Sequence, residues 1–173
     1  MTSYKNPQEF YVEGSDITTT LITDIRDVLV EGFQGESVKV KVYSGELGSP
    51  ESIGQLLADV AGGQQILVKY EETRHEDVDT RNTQIDERCF IGVYCCYANY
   101  SDFDLTHVQI GTIFQAVRRV MSIILPTRFD VKPSGSGNPV KTQARPEGVL
   151  DIVNIPGLVV QRPLFSFRYS TKY

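Results

Sequence analysis

Residues 65–98 read QILVKYEETRHEDVDTRNTQIDERCFIGVYCCYA, two apolar runs separated by a polar stretch. The first run, residues 65–70, has a fully apolar centre and predicts a short strand inside a sheet. The second run, residues 88–98, predicts a longer strand. Residues 71–87 are too long and polar for a compact hairpin turn, and loops of that length are usually functional or disordered. The sequence therefore predicts two strands joined by a long acidic loop.

The residues before this stretch predict a helix, a strand and a second helix. Apolar side chains recur at helical spacing from the N-cap candidates Ser15 and Asp16 to a glycine stop near residue 32. Residues 38–43 (VKVKVY) alternate with period two and predict a strand. A shorter helix is predicted over residues 49–63, with a proline at its first helical position.

The longest predicted helix follows the strand at residues 88–98. Residues 104–125 place apolar side chains at helical spacing, and Pro126 closes the helix. An apolar stripe of this kind is the face with which a helix packs on a core. The predicted stripe consists of Leu105, Val108, Ile110, Ile113, Phe114, Val117, Val120, Met121 and Ile124.

The last third of the chain predicts strands and turns. Pro156-Gly157 between two alternating runs predicts a hairpin. Pro163 cannot donate a ladder hydrogen bond, so it predicts an edge position or a bulge in the final strand. Residues 133–139 predict a loose connector. The predicted strands lie at residues 128–131, 148–155 and 158–169.

The predicted order is α-β-α-β-β-α-β-β-β, in which strands outnumber helices and hairpins join several strands. This order predicts an α+β fold, with a single mixed or antiparallel sheet and helices packed on one face. Residues 1–14 show no period and are predicted to form a flexible N-terminal arm. Residues 15–173 are predicted to form a single domain, which suits a chain of 173 residues.

Composition and cysteine usage narrow the class of protein. No apolar run approaches the ~18–20 residues of a membrane helix, and the first ten residues lack the apolar centre of a signal peptide. We therefore expect the protein to be used in, or assembled from, the cytoplasm. The three cysteines, Cys89, Cys95 and Cys96, are too few and odd in number for a disulfide framework. Since Cys95 and Cys96 point to opposite faces of a strand, we expect buried hydrophobic side chains rather than zinc ligands.

The charge of the chain is unevenly distributed. Residues 71–87 contain seven acids and two arginines, and their charge of −5 equals the net charge of the whole chain. Residues 118–145 contain six basic residues and one acid. An acidic loop and a basic flank on one small domain favour head-to-tail self-association, whereas the simpler interpretation is a solvated loop with ordinary surface cations.

The sequence contains little that predicts catalysis. Only two histidines are present, and no cysteine lies in a nucleophile motif. The acidic run at residues 75–79 could bind a divalent cation, but it lacks the register of a calcium loop. The glycines at residues 134–138 lack the Lys-Ser/Thr ending of a phosphate-binding loop. We therefore expect no catalytic, cofactor-binding or metal-binding residues, and no sequence-specific nucleic-acid binding.

The chain as a whole resembles the tail terminator proteins of long-tailed bacteriophages and related contractile particles. The resemblance covers residues 15–171 and has no short signature. Its segments are LITDIRDVLVEGF, VKVKVYSGEL, QILVKYEE with the polar stretch after it, RCFIGVYCCYANY, THVQIGTIFQAVRRVMSIIL and LFSFRYST. The resemblance implies a small α+β structural protein, not an enzyme, that forms a hexameric ring on the head-proximal end of the tail tube.

The resemblance also implies a location and a set of partners. The ring would lie in the virion and would end polymerisation of the tail tube and, in a contractile tail, hold the last sheath ring. It would present a docking surface to neck proteins and let DNA pass through its lumen. Such rings are built by an extended loop or hairpin that reaches the neighbouring subunit, and residues 71–87 with their flanking strands match that element.

The predicted subunit or partner interface follows from the two charged regions. Its acidic side would order against a basic neighbour. Two alternatives remain open: another neck or head-completion protein, and a small ligand-binding or enzymatic domain with a site under residues 71–87. The predicted interface residues are Glu71, Glu72, Arg74, Glu76, Asp77, Asp79, Arg118, Arg119, Arg128, Lys132 and Arg168.

Overall fold

The computed structural model describes residues 17–43, 63–79, 84–98, 106–131, 140–155 and 157–172. In these ranges it contains two helices and seven strands. The helices are α1 (Ile17–Gly32) and α2 (Thr106–Ile124). The strands are β1 (Val38–Val42), β2 (Gln64–Asp79), β3 (Gln84–Ala98), β4 (Arg128–Val131), β5 (Val140–Gln143), β6 (Arg145–Ile155) and β7 (Leu158–Lys172).

Five strands form one mixed sheet in the order β1-β2-β3-β7-β6. β1 and β2 are parallel, and the other neighbours in this sheet are antiparallel. β4 and β5 form a separate two-stranded antiparallel sheet. The predicted α+β class and the predicted hairpin between β6 and β7 are confirmed, and Gly157 in that turn has a φ of 87°, which favours glycine. The strand β5 was not predicted.

Both helices pack on one face of the five-stranded sheet, as predicted. The predicted apolar stripe of α1 is buried at Leu21, Ile22, Ile25, Leu29 and Phe33. In the described part of α2, the buried side chains are Ile113, Ala116, Val117, Val120 and Ile124. They meet alternate residues of the sheet strands, including Ile66, Val68, Ile91, Val93, Phe165 and Phe167.

Phe114 corrects the predicted stripe of α2, because it is 50% exposed. The buried face of α2 is centred on Ile113, Val117 and Val120, and each residue of a helix is rotated by about 100° from the one before it. Phe114 therefore falls outside the contact with the sheet. Leu105, Val108 and Ile110 lie outside the side chains that the structure describes.

The opposite face of the sheet has a smaller apolar cluster at one end. Its buried members are Leu67, Tyr94, Cys96, Ala98, Val153, Leu158 and Val160. Cys95 lies in the main core and Cys96 in this second cluster, which confirms that they point to opposite faces. All three cysteines are buried and none forms a disulfide. Burial raises the pKa of the Cys95 thiol and raises that of Cys96 to about 12.

The prediction of an acidic loop at residues 71–87 is wrong, because the described residues of this segment belong to a long β-hairpin. β2 continues to Asp79, and β3 begins at Gln84. Two register shifts interrupt this hairpin, between Tyr70 and Glu72 and between His75 and Asp77. The strands were missed because this segment is polar on both faces, and because each shift breaks the period-two alternation that identifies a strand.

Pro163 was predicted to lie at an edge position or at a bulge, and it lies at neither, because the ladder with β3 has the same register on both sides of it. β7 is an interior strand, between β3 and β6. Its ladder with β3 pairs Gly92 with Leu164 and resumes at Cys95 and Gln161, so the pairing is interrupted beside the proline. β7 thus tolerates Pro163, because no backbone pair with β3 is formed at that position.

Several predictions lie outside the described residues. They include the N-terminal arm at residues 1–14, the helix at residues 49–63, the connector at residues 133–139 and Lys132. Neither described helix is both long enough and apolar enough to cross a membrane.

The carboxyl group of Asp24, on α1, provides a pH-dependent test of stability on the helix-covered side of the sheet. Burial, with added repulsion from Asp27 and Asp130, raises the pKa of Asp24 above its ordinary value of 3.8. Because the folded state then binds this proton more tightly than the unfolded state, the carboxylate lowers stability as the pH rises above 3.8. We expect Asp24→Asn to raise the free energy of unfolding at pH 7 and to lose that advantage below pH 3.8. Urea titrations at the two pH values measure the difference, and an equal gain at both would contradict the assignment.

Candidate functional site

The polar halves of β2, β3 and β7 carry a continuous set of ion pairs on the face opposite the helices, here called the charged face. The ladder places Arg74 beside Arg88 and Arg88 beside Arg168. Cys89, the neighbour of Arg88, lies in the helix-covered core, so these three arginines point away from the helices. Sequence analysis did not predict this set of ion pairs.

Two glutamates enter the charged face through bulges in β2. Glu71 and Glu76 are the residues left without a register partner at the two shifts. A bulge adds one residue to a strand and changes the direction of its side chain. Both glutamates contact cations of the charged face, so the bulges bring to one side two carboxylates that simple alternation would not align.

Glu71 is the centre of the more buried group. Its carboxylate accepts a hydrogen bond from the Tyr94 hydroxyl. Its oxygens lie 3.5 Å from Arg162 Nη1 and 3.6 Å from Lys69 Nζ. The three charged side chains are only 16–19% exposed. Burial and the hydrogen bond to Glu71 raise the pKa of Tyr94 to about 12, so its hydroxyl remains a donor at neutral pH.

Gly92 makes room for this group, because it lies directly beneath it. A Cβ at this position would lie 2.6 Å from Glu71 Oε1 and 2.9 Å from Arg162 Cδ. We expect Gly92→Ala to lower the free energy of unfolding by about 1–3 kcal/mol, as overpacking of a filled site does. The measurement is urea unfolding followed by circular dichroism.

Gly111 is the matched control for Gly92. It lies on α2, and a Cβ there would meet nothing within 4 Å. Gly111→Ala should therefore raise stability by about 0.5–1 kcal/mol, because alanine restricts the unfolded chain and favours helix. A rise in the free energy of unfolding in both variants would show that the space above Gly92 is not needed.

Glu76 forms the second group, nearer the hairpin end. Its two oxygens lie 2.7 Å from Arg88 Nε and 3.1 Å from Arg168 Nε. Arg168 also lies 3.6 Å from Asp86, which accepts a hydrogen bond from Ser170. One carboxylate thus joins β2 to both β3 and β7, across three strands.

Glu147 extends the charged face to the edge strand β6. It lies 3.7 Å from Arg145 and 3.9 Å from Arg88, and it accepts a hydrogen bond from Ser166. Glu147 is also the extra residue of a register shift in β6. The bulged position therefore again supplies a carboxylate.

The charges of this face nearly cancel. Its ion pairs involve six cations and five carboxylates. Part of the acidity that sequence counting assigns to residues 71–87 is therefore balanced by Arg88, Arg162 and Arg168 of the same chain. This balance revises the predicted attraction between an acidic loop and a basic neighbour, since Glu71 and Glu76 already have partners.

The structure brings together some of the predicted interface residues and separates others. Glu71, Glu72, Arg74, Glu76 and Arg168 lie on the charged face. Asp77 and Asp79 are in β2, and their side chains are outside the description. Arg118 and Arg128 are exposed and lie on α2 and β4, and Arg119 pairs with Glu36 and donates a 2.6 Å hydrogen bond to the carbonyl of Gly32.

The helix-covered side of the hairpin holds a small polar group. His75 Nε2 lies 3.5 Å from the buried carboxylate of Glu87. Burial, the nearby Cys89 and Glu87, and a hydrogen bond to Glu87 raise the pKa of Tyr169. Sequence analysis missed Glu87, Tyr94, Arg88, Arg162 and Glu147, because cross-strand partners are set by register and carry no local signal.

One edge of β2 extends beyond β1 and meets no other described strand there. β1 pairs with it only from Gln64 to Val68. The remaining eleven residues of β2, 69–79, pair with β3 on one side, and no described strand lies on the other. Together with residues 84–91 of β3 they form a unit that we call the hairpin arm. Its free edge presents backbone donors and acceptors to a further strand.

No group of three or more His, Cys, Asp or Glu side chains in the described ranges is placed to hold a metal ion. A scan against models of known protein families finds no match, and a search of curated proteins finds none either. The function of this chain is therefore argued from its own residues and geometry.

Proposed function

We propose that this chain is a structural virion protein that forms a ring at the head-proximal end of a tail tube, as a tail terminator does. The observation that carries the proposal is the hairpin arm, whose outer edge meets no other described strand for eleven residues past the pairing with β1. Its support from sequence is the resemblance of residues 15–171 to tail terminators. The proposed assembly is a hexamer.

The hairpin arm suits a contact between neighbouring subunits. The last core residue of β2 is Val68, and Arg74 and His75 farther along the strand are exposed. A polar strand edge of this kind can pair with a neighbour through backbone hydrogen bonds without exposing an apolar patch. A contact between two different surfaces, repeated around an axis, closes a ring.

The ion pairs within the chain limit which interactions of the hairpin arm can stabilise such a contact. Glu71 and Glu76 are engaged within the chain, so backbone pairing and the more exposed Glu72 are the means left to the arm. Arg118 and Arg128 are exposed cations on other surfaces of the domain and remain the proposed partners of such acids. We expect the contact to weaken only moderately with salt, because surface ion pairs contribute little to it.

In the proposed ring, each subunit acts by its surface. One side covers the terminal ring of the tube protein and prevents the addition of further rings. The other side presents a docking surface to neck proteins, and in a contractile tail the rim holds the last sheath ring. No step of this function requires a catalytic residue or a cofactor.

Electron microscopy of particles made without this gene tests the proposal. We expect tubes of uncontrolled length that carry no heads, and complementation with the intact gene should restore tubes of uniform length. Tubes of normal length that fail to join heads would overturn the terminator role and assign the chain to the neck. Intact, infectious particles would overturn any assembly role and favour a ligand-binding domain.

A further inference from the structure

A groove follows the outer side of β1, where the sheet ends. β1 pairs with β2 on one side, and no other described strand lies on the opposite side. The groove has a volume of about 550 Å³. An edge strand beside a groove can accept one more strand through backbone hydrogen bonds on its outer side. The lining residues are Val30, Val38, Lys39, Val40, Lys41 and Gln65.

The two faces of this edge differ in chemistry. The valines of β1 alternate toward the helix-covered side, where Val38 and Val40 pack on the core. Val30 and Val42 remain 49% and 42% exposed. Lys39 and Lys41 alternate toward the other side, and Lys39 is exposed. A matching strand must therefore have apolar side chains on one face and acidic side chains on the other.

One segment of this chain has the required pattern. Residues 9–13 read Glu-Phe-Tyr-Val-Glu and lie outside the described residues, so only their sequence is used. In an extended strand Phe10 and Val12 share one face, and the two glutamates share the other with Tyr11.

We propose that residues 9–13 of a second copy bind in this groove as a strand added to β1. Phe10 and Val12 pack against Val30 and the valines of β1, and a glutamate lies beside the exposed Lys39. The proposal rests on the proposed ring, in which each subunit needs one surface that gives and another that receives. Glu13, the end of the bound segment nearer α1, precedes Ile17 by four residues, so the segment reaches a groove within about 14 Å of the start of its own α1.

Zero-length cross-linking of the intact protein tests this contact with native residues. Carbodiimide joins a carboxylate to an amine that it touches, so Glu9 or Glu13 should be joined to Lys39. An equal mixture of ¹⁴N-labelled and ¹⁵N-labelled chains is assembled and cross-linked, and the joined peptides are identified by mass spectrometry. We expect joined peptides of mixed isotope composition. Joined peptides of one isotope only would place the segment on its own chain and overturn the proposal, as would no joined peptide.

Charge reversal provides the matched variants. Lys39→Glu should reduce the yield of mixed peptides and weaken self-association by about tenfold or more, because like charges then face each other. Glu13→Lys in the same chain should restore both. Lys141→Glu is the control, since Lys141 is exposed and pairs with Asp130 away from the groove, and it should change neither. No restoration by the second substitution would contradict the pairing of Glu13 with Lys39.

The failure of this proposal is distinguishable from failure of the ring. Tubes of uniform length in particles carrying Lys39→Glu, with no mixed peptides from the unaltered chain, would overturn this contact and leave the terminator function standing. Mixed peptides from a chain whose gene deletion leaves infectious particles would support the contact and overturn the terminator function.

Discussion

Phe167→Ala is expected to lower the free energy of unfolding by about 3–5 kcal/mol, the largest effect of any single substitution considered for this chain. Phe167 lies on β7, is fully buried in the main core, and meets the ring of Phe129 edge to face with the centroids 5.6 Å apart. Truncation removes this contact and leaves a cavity between the sheet and β4, because close-packed neighbours relax only in part. Urea unfolding monitored by circular dichroism measures the loss.

Phe114→Ala is the control for this prediction. It removes the same atoms from α2, where Phe114 is half exposed and lies beside the buried stripe. We expect the free energy of unfolding to change by no more than about 1 kcal/mol, because alanine favours the helix and the half-exposed Phe114 buries only part of its apolar surface. Equal losses in the two variants would contradict the assigned face of α2.

The second large effect is expected at Glu71, whose replacement by alanine should lower stability by about 2–4 kcal/mol. Glu71→Ala leaves the Tyr94 hydroxyl without its acceptor and leaves Arg162 without its carboxylate. Arg162 is only 16% exposed and its Nε already lacks a partner, so water cannot fully replace the lost contact. The same unfolding experiment measures the effect.

Glu72→Ala isolates the role of burial in that loss. Glu72 is the next residue, is 48% exposed, and pairs with Arg74 two positions away. Exposed ion pairs contribute little, so we expect a change within about 0.5 kcal/mol. If both neighbouring glutamates proved equally sensitive, the bulge at Glu71 would not have the structural role assigned to it.

Prediction succeeded wherever one face of an element is apolar. The stripe of α1 repeats at helical spacing, Val38 and Val40 of β1 alternate toward the core, and the continuous apolar centre of β2 is buried on both faces. Each of these patterns can be read from sequence. The same reasoning failed at residues 71–87. There the strands are stabilised by backbone pairing and by ion pairs, which leave no hydrophobic period, and two bulges shift the alternation.

The candidate site was predicted in part. Counting charges identified the acidic segment and placed Glu71 and Glu76 in a functional region, but it assigned them to a neighbouring subunit. Their partners Arg88, Arg162 and Arg168 are up to about ninety residues distant in sequence and are brought beside them by the order β2-β3-β7. Opposite charge attracts at any separation in sequence, so composition alone cannot choose the partner.

The sequence by itself determined the α+β class, the helix-covered core and the burial of the cysteines, because apolar periodicity is local and each repeat specifies its own face. Only the tertiary structure decided that β2 extends to Asp79 and that Glu71 is half-buried while Glu72 is exposed. It also decided that β1 and the outer part of β2 have no other described strand on one side. These properties depend on register and strand order. Both are set by contacts between residues far apart in the chain, which no single segment encodes.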